Sequence, residues 1–220
     1  MARAVGAEEF VPDSRRIDRL RKAAADCRGC DLYRHADRVV FGEGPVSARL
    51  LLVGEQPGDR EDRAGHPFVG PAGRILDEAL EQAGVARSQV YLTNVVKHFK
   101  FTRPEGRRRL HKTPGRTEIV ACLPWLAAEL AAVKPRVVVC LGATAAKALL
   151  GNRFRVTRRR GELLDPAADP DVTVDERVAD LLPRVLATMH PSAVLRGRPE
   201  ERAAAVADLA DDLSAAHRAA

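Results

Sequence analysis

The chain has 220 residues and a net charge of +6, with 36 Lys and Arg against 30 Asp and Glu. At 45% hydrophobic and 30% charged residues, it has the content of one folded domain, which excludes a disordered or fibrous chain. No apolar run approaches the ~18 residues of a membrane span, and the opening MARAVGAEEF lacks a secretory pattern, so a cytoplasmic protein is expected.

In chain order, the pattern predicts a first helix over Ser14–Cys27 and a first strand over Arg49–Gly54, RLLLVG. A helix follows over Pro71–Ala83, with Ile75, Leu76, Ala79 and Leu80 on one face and Gly84 as a stop. Val90–Asn94 reads as a second strand, Thr117–Val133 as a helix, and Arg136–Leu141 as a third strand. Ala143–Leu150 is a helix, Arg184–Met189 a fourth strand and Pro199–Ala216 a last helix. The strands are continuous apolar runs, as in a parallel sheet covered on both faces. Their alternation with helices predicts an α/β fold: a three-layer α/β/α sandwich with a central, mostly parallel four-stranded sheet. Gly161–Asp180, with six acids before Arg177, reads as a solvated connection. Residues 1–220 are expected to form a single domain and a monomer.

One segment breaks the rhythm. Residues 95–116 carry eight basic side chains and one acid, Glu105, a local +7 that leaves −1 on the other 198 residues. Its middle, about 97–115, is a basic loop insertion with Pro104, Gly106, Pro114 and Gly115 and no clear period. Charge alone fits either a polyanion contact or a solvated arginine-rich loop.

The strands end in polar motifs: GEQPG at 54–58, TN at 93–94, LG at 141–142 and MHPS at 189–192. Ligands of open α/β sheets bind outside the carboxyl ends of the strands, so Glu55, Gln56, Asn94 and His190 should converge on one crevice. Four cysteines add a second feature. Cys27 and Cys30 form a C-x2-C pair, joined through the fold by Cys122 and Cys140. In a cytoplasmic protein this favours metal over disulfide, and the spacing suits zinc or an iron–sulfur cluster alike. Cys122 and Cys140 also read as buried small residues.

With GEQPG, HPFVGPAG at 66–73, TNVVKH at 93–98 and HPS at 190–192 in this order, the chain resembles the uracil-DNA glycosylase superfamily. The cysteines make it similar to family 4, whose members carry a [4Fe–4S] cluster. RRRLHKTP at 107–114, with Gln56 inside GEQPG, resembles the UdgX subgroup; Arg107 and Leu110 stand where that subgroup has Lys and Ile. The likeness runs from about Cys27 to Leu195.

The resemblance implies excision of uracil from DNA after the base leaves the stack; single-stranded DNA is the expected partner, with double-stranded DNA left open. Phe68 would stack on the base, Asn94 would read O4 and N3–H, and His190 would donate to the O2 anion, with Gln56 placing the loop or the uracil. His111 would attack C1′ and leave protein joined to DNA, with Glu55 orienting it or taking its proton. His35, His66, His98 and His217 are poorer candidates for that role. Arg107, Arg108, Arg109, Lys112, Ser192 and Arg196 would meet DNA, and Leu195, with Val194 and Arg196, is a candidate wedge. Cys27, Cys30, Cys122 and Cys140 would hold the cluster. Two other outcomes stay open: a family 4 enzyme that turns over without an adduct, and an iron–sulfur DNA-binding module without catalysis.

Overall fold

The computed structural model describes residues 6–104 and 108–220. Helix α1 (Ile17–Ala24) precedes strand β1 (Leu50–Gly54), helices α2 (Asp59–Ala64) and α3 (Pro71–Gln82), and strand β2 (Val90–Asn94). A small hairpin of β3 (Phe101–Thr102) and β4 (Leu110–His111) follows, then α4 (Arg116–Val133), β5 (Val137–Leu141), α5 (Ala143–Leu150) and α6 (Val156–Arg159). The chain ends with β6 (Leu163–Leu164), α7 (Glu176–Ala179), β7 (Arg184–Thr188), α8 (Pro191–Arg196) and α9 (Arg202–Ala219).

The main sheet runs β2-β1-β5-β7-β6, parallel through its first four members. Five strands therefore replace the expected four. The addition, β6, pairs antiparallel with β7 through Leu163 and Leu164. Two residues amid acids carry no legible period, so the segment reads as connection alone.

Alternation along the strands builds the three layers. Leu50, Leu52, Val90, Leu92, Val137, Val139 and Leu186 join a core with α3 and α9. Leu51, Val53, Tyr91, Val138, Cys140 and Val185 join the opposite core with α1, α4 and α5. Both faces exclude water, as a parallel sheet requires.

Inside α4, Pro124 cannot donate to the carbonyl of Val120, and Arg177 Nη1 donates to it instead at 3.0 Å. The first helix is shorter than its apolar pattern, starting at Ile17, and the last begins at Arg202 after a 3-10 turn at Pro199–Glu201. Among the described residues no helix is long and apolar enough to cross a membrane.

Candidate active site

The carboxyl ends of β1, β2 and β7 gather the predicted residues. A side chain at Gly54 would put its Cβ 2.3 Å from Asn94 Oδ1 and 2.7 Å from Phe68 Cζ. Glycine there lets the Asn94 amide and the Phe68 ring approach each other. Phe68 adopts a left-handed φ of 55°, a costly conformation for an aromatic residue. Arg87 Nη2 supports that loop by donating to the carbonyls of Pro67 at 3.0 Å and Phe68 at 3.3 Å. The buried Glu61 carboxylate clips the same loop to the β1 turn, accepting from Gly70 N at 2.7 Å and Gly58 N at 3.1 Å.

Asn94 is 3% exposed, and among the described residues its side-chain amide makes no hydrogen bond. Its backbone carbonyl is fixed from behind by Lys97 Nζ at 2.7 Å. That ammonium is buried and paired with the buried carboxylate of Glu129 at 2.5 Å. Glu129 also accepts from Gly42 N, Tyr91 OH and Thr93 Oγ1. Asn94 is thus a free donor and acceptor pair on a rigid mount.

His190 completes this wall, its ring centroid 6.5 Å from that of Phe68. Its Nδ1 accepts from Ser192 N at 3.1 Å and stands 2.7 Å from Ser192 Oγ, which itself accepts from Arg196 Nη1 at 3.0 Å. With Nδ1 accepting, the proton of the neutral ring sits on Nε2. Burial first, then the Arg196 guanidinium and the neighbouring His111 ring, push its pKa down to about 4. Ser192, expected on a phosphate, spends its hydroxyl fixing this tautomer. Val194 is buried and drops out as a wedge, while Leu195 and Arg196 are exposed.

The basic insertion is not structureless. In its hairpin Phe101 pairs with His111 and Thr102 with Leu110. Gln56 ties it down: Oε1 accepts from Lys100 N at 3.0 Å, and Nε2 lies 3.2 Å from Lys100 O, 3.1 Å from Lys112 O and 2.9 Å from His111 Nε2. The Lys100 donor fixes which end of the amide is oxygen, so His111 Nε2 faces an N–H and presents its lone pair. Gln56 therefore places the loop and has no free atom for a base. On the other side, Glu55 Oε1 lies 3.5 Å from His111 Nε2.

Arg109 is expected on DNA but turns inward. Its guanidinium reaches Asp59 at 2.5 Å, Asp62 at 2.7 Å and Asp37 at 3.2 Å. It lies 4.8 Å from the ring centroid of Phe101 and 5.4 Å from that of Phe99. Lys100 likewise pairs with Glu118 at 2.7 Å. Arg108 and Lys112 remain exposed, and Arg107 lies outside the described residues.

Three thiols share a neighbourhood. Trp125 Nε1 donates to Cys27 Sγ at 3.2 Å, and Lys97 N to Cys122 Sγ at 3.3 Å. Burial raises Cys122 to about 12; Lys97 lowers it, while Cys30 and Cys27 raise it further. Cys140, expected as the fourth ligand, stands apart in β5: burial alone raises it to about 12. His98 directly follows the Lys97 N–H bonded to Cys122, and burial pushes its pKa down to about 4. A neutral imidazole has the chemistry of a ligand, which makes His98 a candidate beside Cys27, Cys30 and Cys122. Among the described residues no three such side chains converge tightly enough for a single ion; a cluster of several irons holds its ligands further apart. The sequence offered His98 only through its place in TNVVKH.

The uracil DNA glycosylase superfamily model matches residues 41–214. The type-4 uracil-DNA glycosylase of Pyrobaculum aerophilum is 38% identical over 194 residues, covering 88% of this chain and 91% of that protein. That of Thermotoga maritima is 38% identical over 176 residues, covering 80% and 81%. The crystal structure of Pedobacter heparinus SMUG2 shares the fold, with a TM-score of 0.53, 14% identity and coverage of 79% and 76%. On the family match and the extent of the type-4 similarity, this chain belongs to the uracil-DNA glycosylase superfamily.

Proposed function

We propose that this uracil-DNA glycosylase excises uracil and then stays covalently joined to the abasic sugar through His111. The observation that carries this reading is the placement of His111 Nε2 between Gln56 and Glu55, beside the base-facing wall. An arm serving only to bind phosphate has no need to deliver a neutral imidazole there. RRRLHKTP and Gln56, the features resembling the UdgX subgroup, are the same residues that build this contact.

Uracil enters between Phe68 and Asn94, whose amide offers N–H to O4 and C=O to N3–H. Cytosine presents the reverse pair and leaves both groups unmatched. As the C1′–N1 bond breaks, its electron pair passes to the base. His190 Nε2–H and the backbone N–H groups of the GEQPG turn receive the resulting charge on O2. The Nε2 lone pair of His111, released by Gln56, forms the new bond to C1′. The alkylated ring loses its Nδ1 proton to solvent, and the uracil anion takes one up. The carboxylate of Glu55 faces the positive charge that passes from sugar to imidazole. Arg108, Lys112 and Arg196 remain as exposed cations for the DNA backbone.

Cys27, Cys30, Cys122 and His98 would hold a [4Fe–4S] cluster, which when bound supplies a cross-link between the N-terminal segment and α4. The bond-breaking chemistry asks for no electron from it.

The test is a denaturing gel of purified protein with uracil-containing single-stranded DNA. A shifted band that survives SDS and heat is expected, and His111→Ala should lose it while still binding DNA. Multiple turnover by the wild type without such a band would discard the covalent step.

A further inference from the structure

We infer that Thr144 is a positioning residue for the capture step, acting through Glu55; the inference rests on the covalent reading above. Thr144 stands in the first turn of α5, just after Gly142, whose left-handed φ of 92° and close approach to His190 define the β5–α5 turn. Its hydroxyl donates to Glu55 Oε2. The other oxygen, Oε1, is the one buried side-chain polar atom without a partner among the described residues. That orphan oxygen is the one 3.5 Å from His111 Nε2.

A buried acceptor left unpaired is costly and unusual in a folded protein. Here the arrangement makes sense as a division of labour within one carboxylate. Thr144 satisfies Oε2 and thereby stops the group from rotating. Oε1 is then held toward the nucleophile, with its lone pairs unspent until positive charge develops on the sugar and the imidazole. Without the hydroxyl, Glu55 can turn to satisfy itself elsewhere, and the charge beside His111 goes unanswered. The β5–α5 turn thus serves both halves of the site, Gly142 making room for His190 and Thr144 fixing Glu55.

The variants Thr144→Val and Thr144→Ser separate this role from simple packing, because Val keeps the shape and Ser keeps the hydroxyl. Single-turnover capture of uracil-containing single-stranded DNA is followed on denaturing gels, with free uracil quantified in the same samples. Thr144→Val should slow capture ~10- to 100-fold at saturating DNA, the range for losing a hydrogen bond to a charged group. The DNA concentration at half-saturation should stay within about twofold, since the hydroxyl touches no DNA. Thr144→Ser should recover to within about threefold of the wild type. In a Glu55→Ala background, Thr144→Val should add nothing, because the partner it aims is gone.

Three results would overturn the inference: capture by Thr144→Val at the wild-type rate, a Ser variant as slow as Val, or an undiminished Val effect without Glu55. Should the wild type release uracil with no adduct, the covalent reading fails by itself. The same Thr144–Glu55 coupling, measured on uracil release, then decides the role of Thr144.

Discussion

Phe68, Asn94 and His190 hang from strand ends and from the backbone around them, whereas His111 rides on a two-residue strand tied down by side chains. Asn94 is 3% exposed, while the His111 side chain is 49% exposed. Behind the wall lies the buried Lys97–Glu129 pair. Behind the arm lie the buried Gln56, the Arg109 clamp and the half-buried Lys100–Glu118 pair, side-chain contacts in place of a strand ladder. Recognition of a base needs fixed geometry before the base arrives. An arm that in the proposed reaction meets a sugar already in place can be held by contacts that are individually replaceable. Breaking the wall should therefore cost the fold most, and breaking the arm should cost the capture step more than stability or uracil release.

The largest effect belongs to Lys97→Met. It leaves the Glu129 carboxylate buried without its cation and releases the Asn94 carbonyl. Removing one partner of such a pair costs roughly 3–5 kcal/mol, so thermal unfolding should move down by many degrees. Chemical denaturation with a midpoint unchanged from the wild type would show that the wall is not built on this pair.

Arg109→Met comes next and probes the arm. The clamp bridges α2 and the hairpin, and two of its three carboxylates, on Asp37 and Asp59, are exposed enough to be solvated once free. Asp62 keeps the backbone N–H of Asp37. Stability should fall by only about 1–3 kcal/mol. Capture by His111 should slow ~10-fold or more while uracil release falls less, because a small misplacement of a nucleophile is expensive. Equal losses in both steps would make Arg109 part of the general scaffold.

Much of the wall was legible in the sequence, for a physical reason. Motifs at the ends of parallel strands are brought together by the sheet, so GEQPG, TN and HPS needed only a correct strand reading to converge. The hairpin was legible only as charge. Its strands are two residues long, below any period, and nothing in RRR distinguishes Arg108, which faces solvent, from Arg109, which faces Asp59 and Asp62. Composition counts both as +1, although one of them is neutralised inside the protein. Cys140 misled for a related reason. A cysteine in VVVCL reads equally as ligand or core, and the register that sets it in β5, away from Cys122, is a tertiary fact. Thr144 carried no signal, since a threonine opening a helix is ordinary.

The smallest expected effect is a flat pH profile, and it tests whether the wall is preset. In the proposed reaction His190 is a neutral donor, its Nδ1 lone pair taken by Ser192. Its pKa is lowered to about 4, chiefly by burial, so the working form persists above that value and is lost as pH falls through it. The folded state shows the same sign: an unfolded histidine takes its proton near pH ~6.5, so this residue withdraws stability as pH drops from there toward 4. The measurement belongs in His111→Ala, where water takes the nucleophile's place and uracil release is read by itself. That change removes one neighbour that helps to lower His190, but burial, the larger cause, remains. Single-turnover uracil release should vary less than about twofold from pH 8 to 5.5 and decline only near 4. A limb centred near 6.5 would mean that His190 titrates like a solvent-facing imidazole, and that the wall is assembled by the substrate rather than before it.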